Sequence, residues 1–150
     1  MNIFRGILGV VLAIVAGSVA MTSLHSLGMM VWPEDPYPVD ASPEEMKAWM
    51  EGLRLETKLF ATLAHWAGTA VAAFLAVWIA APVADAFGEA KRPMWPAWTL
   101  GGWFLIGGFA NAYMLGTPLW LSALDLAGYL PVAWLIGRPL QHWQLSGHTA

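Results

Sequence analysis

At 150 residues the chain has the length of one ordinary soluble domain. Its composition argues against that class: 58% of residues are hydrophobic, 11% are charged, and mean hydropathy is +0.56, which leaves too few charges to cover a water-exposed surface of this size. A net charge of −3 with scattered basic residues gives no electrostatic footprint for nucleic acid, and the lack of cysteine removes disulfides, thiolate metal sites and dithiol redox chemistry.

The first apolar segment runs from about Ile3 to Trp32, with an unbroken apolar or small stretch from Gly6 to Met21. Arg5 ahead of it and Ser18-Val19-Ala20 within it imitate a secretory signal and its cleavage site. Apolar character continues through Leu24, Leu27, Met29, Met30 and Val31, which predicts a retained span.

Residues 33–58 form the one sizeable loop. Pro33-Glu34-Asp35-Pro36-Tyr37-Pro38 is too rich in proline for a helix and should be extended. Ser42-Pro43-Glu44-Glu45 then starts a helix, with Ser as N-cap, Pro in the first turn and Glu45 closing a capping box. Met46, Trp49, Met50 and Leu53 follow at helical spacing on one face. This predicts an amphipathic helix on the outer leaflet, or one running on into the second span. It serves as an interfacial anchor, or as a lid or docking helix.

The remaining spans cover about 59–81, 97–115 and 119–136. At roughly 18–23 residues and 1.5 Å per residue each crosses a hydrocarbon core of about 30 Å, and in lipid only a helix satisfies its own backbone. Trp32, Trp95, Trp98 and Trp120 fall near the segment ends, where indole rings favour the headgroup region. The second span repeats a small residue every fourth position, at Ala64, Gly68, Ala72, Ala76 and Ala80. Ala13 and Gly17 in the first span and Gly108 and Ala112 in the third have the same spacing. Such stripes let membrane helices approach closely, within one chain or between two copies. Pro131 deprives the Ala127 carbonyl of its helical partner and predicts a kink in the fourth span.

The fold expected is therefore an all-α polytopic membrane protein. A single membrane domain, 1–150, holds four transmembrane helices in a bundle and one interfacial helix between the first and second. Arg5, Lys91, Arg92 and Arg138 share one side of that topology, against Lys47, Arg54 and Lys58 on the other. The basic majority places both termini in the cytoplasm.

Each span carries one strongly polar residue: His25, His65, Asn111 and Asp125. Counted from the span ends, all four lie roughly 7–11 Å below the outer surface. Polar groups at this depth are costly unless they face inward and pair. A plain reading is a hydrogen-bond cluster that fixes helix register. Three functional readings stand beside it. His25, His65 and Asp125 offer imidazole and carboxylate ligands for zinc or copper. Two histidines could ligate a haem, with Met29 as a further ligand one turn beyond His25. Alternatively the cluster could relay protons or bind a small substrate. His65-Trp66-Ala67-Gly68 and Asp125-Leu126-Ala127-Gly128 share an ionisable residue three places before glycine, as two repeated helix pairs would. His142 and His148 lie in a polar tail that reads as a solvated end.

Several short motifs resemble those of small bacterial four-helix integral membrane proteins of uncharacterised activity. They are His25-Ser26-Leu27-Gly28 with Trp32-Pro33, Ala64-His65-Trp66-Ala67-Gly68, Gly107-Gly108-Phe109-Ala110-Asn111, Thr117-Pro118-Leu119-Trp120 and Tyr129-Leu130-Pro131. The chain departs from that pattern in having His25 where an acidic residue is common and Met29 where a histidine is common. The resemblance implies the same architecture in a bacterial inner membrane and adds no activity. The expected function is a binding or accessory component with an outward-facing polar pocket. A metal- or haem-binding enzyme or redox protein is the competing class, and an oligomeric transporter or channel a third. The lipid bilayer is the expected partner, with a second copy or another membrane protein beside it. No span is polar along its whole length, which argues against a pore through one monomer.

Overall fold

The computed structural model describes residues 2–80, 82–84 and 90–141. Five helices account for most of them: α1 (Asn2–Val31), α2 (Pro43–Gly52), α3 (Leu55–Ile79), α4 (Trp95–Met114) and α5 (Leu119–Leu140). Between α3 and α4 a two-residue antiparallel pair, β1 (Val83–Ala84) with β2 (Ala90–Lys91), is too short to change the helical class. Three helices are long and apolar enough to cross a membrane: Ile3–Val31, Leu55–Ile79 and Leu119–Leu140. The outer face of α1 leaves Phe4, Ile7, Val11, Val15 and Val19 exposed in a row that water would not support but lipid would. Helix α4 has no charged residue, yet with three Trp, four Gly and Asn111 it is not among these three.

The small-residue stripe is buried within the chain. Ala64, Ala72, Ala76 and Ala80 are each at most 1% exposed. Gly68 meets Gly17 of α1 so closely that a Cβ on either would lie 2.7 Å from the other's carbonyl oxygen. Gly9 lies against Ile79 and Gly28 against Phe60, so α1 and α3 run antiparallel. Helices α4 and α5 are likewise antiparallel, through Gly101 on Ala133, Gly108 on Tyr129 and Gly137 on Ala97. One core cluster joins Ala13, Ala72, Ala76, Leu100, Phe104 and Tyr129, and a second joins Ala73, Val77, Ala97, Ala133 and Leu140.

The turn from α4 to α5 stops one helix and starts the next within four residues. Gly116 adopts φ +59°, the left-handed conformation that glycine takes without steric cost. Thr117 N–H donates to the Ala112 carbonyl and Gly116 N–H to that of Tyr113, which together make a Schellman cap. Pro118 cannot continue α4; its own carbonyl accepts from the amides of Leu121 and Ser122 and opens α5. The helix then continues through Pro131 and Pro139 to Leu140, past the expected end near 136, because Gly137 packs on Ala97 and Met94.

Helix α2 starts as its sequence predicts. The Ser42 amide donates to Glu45 Oε2 at 2.7 Å, and the Glu45 amide to Ser42 Oγ at 3.3 Å. Met46 and Met50 are its buried residues. Only Leu53 and Arg54 separate it from α3, which begins at Leu55 rather than near 59. Lys58 Nζ reaches back to the Glu51 carbonyl at 2.9 Å and caps the end of α2. The extended stretch before α2 is tied down by Glu34, whose Oε1 accepts from Thr57 Oγ1 at 2.6 Å and from the Arg54 amide at 3.1 Å. Those two bonds hold the Glu34 carboxyl below the ordinary glutamate range, and the Ser42 bonds do the same for Glu45.

Candidate functional site

Three of the four polar span residues come together. Helices α3 and α5 run side by side, and His65 Nδ1 lies 2.9 Å from Asp125 Oδ1 and 3.0 Å from Oδ2. Tyr129, one turn along α5, donates its hydroxyl to Asp125 Oδ2 at 3.0 Å. The Tyr129 ring stacks near His65, with 6.3 Å between centroids. From α1, the His25 ring stands 5.0 Å from that of His65, tilted by 42°. His25 Nε2 faces the Ala61 carbonyl at 3.4 Å, a long hydrogen bond. Asp125 is 9% exposed, and at that burial its two charge-accepting contacts are what make the carboxyl tolerable.

A second contact fixes the same segment of α5. Trp66 Nε1 donates to the Asp125 backbone carbonyl at 3.0 Å, with its indole against Gly128, where a Cβ would come within 2.1 Å of the ring. The two glycines of the repeated tetrapeptide therefore have different uses. Gly68 admits the backbone of α1, and Gly128 admits an indole.

His65 and Asp125 form the floor of a cavity of about 350 Å³. Gly108, Asn111 and Leu115 of α4 line one wall, and His25, Gly28 and Met29 of α1 another. Trp49, Met50 and Leu53 carry the lining onto α2 and its end. Trp49 is held there by a bond from its Nε1 to the Asp35 carbonyl at 3.2 Å and by an edge contact with Tyr37. Asn111 reaches the cavity from an exposed position and joins the layer by depth alone; its side chain makes no hydrogen bond among the described residues.

Among the described residues no three His, Cys, Asp or Glu side chains are arranged to hold a metal ion. His65 and Asp125 face each other as hydrogen-bond partners instead of converging with His25 on a common point. The histidine rings, 5.0 Å apart, leave no room for a porphyrin plane between them. Met29 lines the cavity. His142 and His148 lie outside the described residues.

Tyr129 and Trp66 carry the network and were not singled out in the sequence. Tyr129 had a signal, since it stands four residues after Asp125 and so on the same helix face. Arg92 was counted only for topology, yet it is 8% exposed and its guanidinium donates to the carbonyls of Val77, Trp78 and Ala80 at the end of α3. It also lies over the Trp78 ring, 5.7 Å from the centroid.

No family model matches the chain, and the comparisons with curated proteins and with solved structures give no match. The resemblance to small bacterial four-helix membrane proteins thus rests on the short motifs themselves, and function must be argued from the cavity.

Proposed function

We propose that the chain is a four-span protein of the bacterial inner membrane, with both termini cytoplasmic, that binds a small molecule in a cavity open toward the outer side. The observation that carries this reading is the cavity itself, floored by His65 and Asp125, with Tyr129 bonded behind them, and roofed by α2. A polar network whose only role was to hold helices in register would be packed over; this one borders open space. Helix α4 supplies the fourth span: 20 uncharged residues reach about 30 Å, and tryptophan at its start suits an interface. Charge supports the orientation. Arg5, Arg92 and Arg138 lie at one end of the helices, while the acids of α2 and its flanks lie at the other.

The absence of native cysteine makes the test direct. Ser122→Cys, on the cavity wall, should react with a small membrane-impermeant methanethiosulfonate added outside spheroplasts, as should Lys47→Cys on α2. Lys91→Cys should react only after permeabilisation. The reverse pattern would overturn the orientation. A reactive Lys47→Cys beside an inert Ser122→Cys would show that the cavity is closed.

A further inference from the structure

One proton is shared across the contact between His65 Nδ1 and the Asp125 carboxyl. A net-neutral pair is either an imidazolium beside a carboxylate or a neutral imidazole beside a carboxylic acid. In both forms the other ring nitrogen, Nε2, carries a hydrogen. The remaining form, a neutral imidazole against a carboxylate, would leave the pair with a net negative charge between apolar helices, met by hydrogen bonds from His65 and Tyr129 but by no counter-charge, and is the costlier one. His65 Nε2 makes no hydrogen bond among the described residues. No buried polar side-chain atom among the described residues lacks a partner, so Nε2 is open to the cavity that His65 lines. The floor therefore offers a donor that no described residue uses.

The route to it runs sideways. Helices α1 and α4 meet through Gly6 on Trp95 and Gly17 on Phe104, toward the far end from the cavity. At cavity level, Met29 of α1 and Asn111 of α4 both line the space and are both exposed, which marks a mouth between the two helices. With α4 as the fourth span that mouth would face lipid, and the walls behind it include the apolar Phe60, Leu115 and Leu121.

We propose that the cavity takes an uncharged, lipid-dissolved ring compound bearing a carbonyl, of the quinone or aryl ketone class. It would pass between α1 and α4 and accept a hydrogen bond from His65 Nε2. This rests on the cavity being a binding site and adds what it selects. Binding alone is proposed, with no electron transfer.

The test compares menadione with 2-methylnaphthalene, which has the same ring body and no carbonyl. Both are titrated into the full chain in lipid nanodiscs, with protein-free nanodiscs subtracted. The lack of cysteine removes the thiols that quinones arylate. Menadione should bind one site about tenfold more tightly, the equivalent of about 1.4 kcal/mol and so of one hydrogen bond. His65→Phe should bring menadione down to the level of 2-methylnaphthalene. If His65→Phe does not fold, the ¹⁵N resonance of His65 Nε2 in the unaltered chain decides, since menadione alone should shift it. Equal binding of the two compounds, or a preference that survives His65→Phe, would overturn the donor assignment while leaving a binding cavity. Failure of both to bind above the lipid background would overturn the cavity reading, and this proposal with it.

Discussion

Gly128→Ala should destabilise the protein, and the reason can be followed atom by atom. A Cβ at this position would stand 2.1 Å from Cε2 and Nε1 of Trp66, whereas ordinary contact begins near 3.4 Å, so the indole must withdraw from α5 by about 1.3 Å. Trp66 Nε1 now sits 3.0 Å from the Asp125 carbonyl, on the same helix. Withdrawal on that scale breaks the bond, at a cost of about 1 kcal/mol. Overpacking adds about 1–3 kcal/mol, and alanine's better helix propensity returns about 0.5–1. A net loss of about 1–3 kcal/mol follows. Gly102, where a Cβ would meet nothing within 4 Å, is the control. Gly102→Ala should gain about 0.5–1 kcal/mol, so the two substitutions differ in sign. Reversible unfolding by sodium dodecyl sulfate in bicelles, followed by far-UV circular dichroism, measures both. A Gly128→Ala protein as stable as the unaltered one would refute the argument. So would an undiminished loss in a Trp66→Leu background, where the obstructing ring is gone.

Three further outcomes follow from the same contacts. Asp125→Asn and His65→Ala should be non-additive, with a coupling energy of at least about 0.5 kcal/mol in the same unfolding assay; strict additivity would mean that their 2.9 Å contact carries nothing. Arg92→Gln should cost about 1.5–3 kcal/mol and speed amide exchange over residues 77–80, because a charged donor to the carbonyls of Val77, Trp78 and Ala80 is lost. Glu34 gives a pH dependence: its carboxyl lies below the ordinary value of 4.5 in the folded chain, so the tie to Thr57 and Arg54 is fully present above that value. The tie should be lost as pH falls through the lower folded value, seen as faster exchange of the Arg54 amide, and Glu34→Gln should flatten the step.

What could be read from the sequence was what depends on local pattern. Ser42 and Glu45 announce α2 because a capping box is completed within four residues. The stripe from Ala64 to Ala80 announces a close helix crossing because small residues at that spacing have little other use in an apolar segment. Depth alone also gathered His25, His65 and Asp125. It failed for Asn111, because depth fixes height and leaves rotation free; Asn111 sits at the edge of the mouth and bonds to none of the other three. Trp66 was out of reach for another reason. Its role depends on a glycine 62 positions away on a neighbouring helix, and no local rule pairs an indole with an absent side chain. The β1–β2 pair, with two residues to a strand, has no alternation to read.

The cavity lies where it does because the close contacts between α1 and α4 end short of it. Along α1, Gly6, Gly9, Ala13 and Gly17 admit a neighbouring helix or ring at every turn, and α3 answers with Gly68, Ala72 and Ala76. Helices α1 and α3 stay in contact as far as Gly28 on Phe60, whereas the glycine contacts of α1 with α4, Gly6 on Trp95 and Gly17 on Phe104, stop at Gly17. The site lies beyond them, its polar residues at the first level where α1 and α4 no longer close over them. On this argument the tight end and the open end are one design. Enlarging a residue in the seam, as in Gly17→Ala with its Cβ 2.7 Å from the Gly68 carbonyl, should widen the mouth between α1 and α4 as well as weaken the fold. A faster reaction of Ser122→Cys in the Gly17→Ala background would show that widening. An unchanged rate would mean that the seam and the cavity are independent.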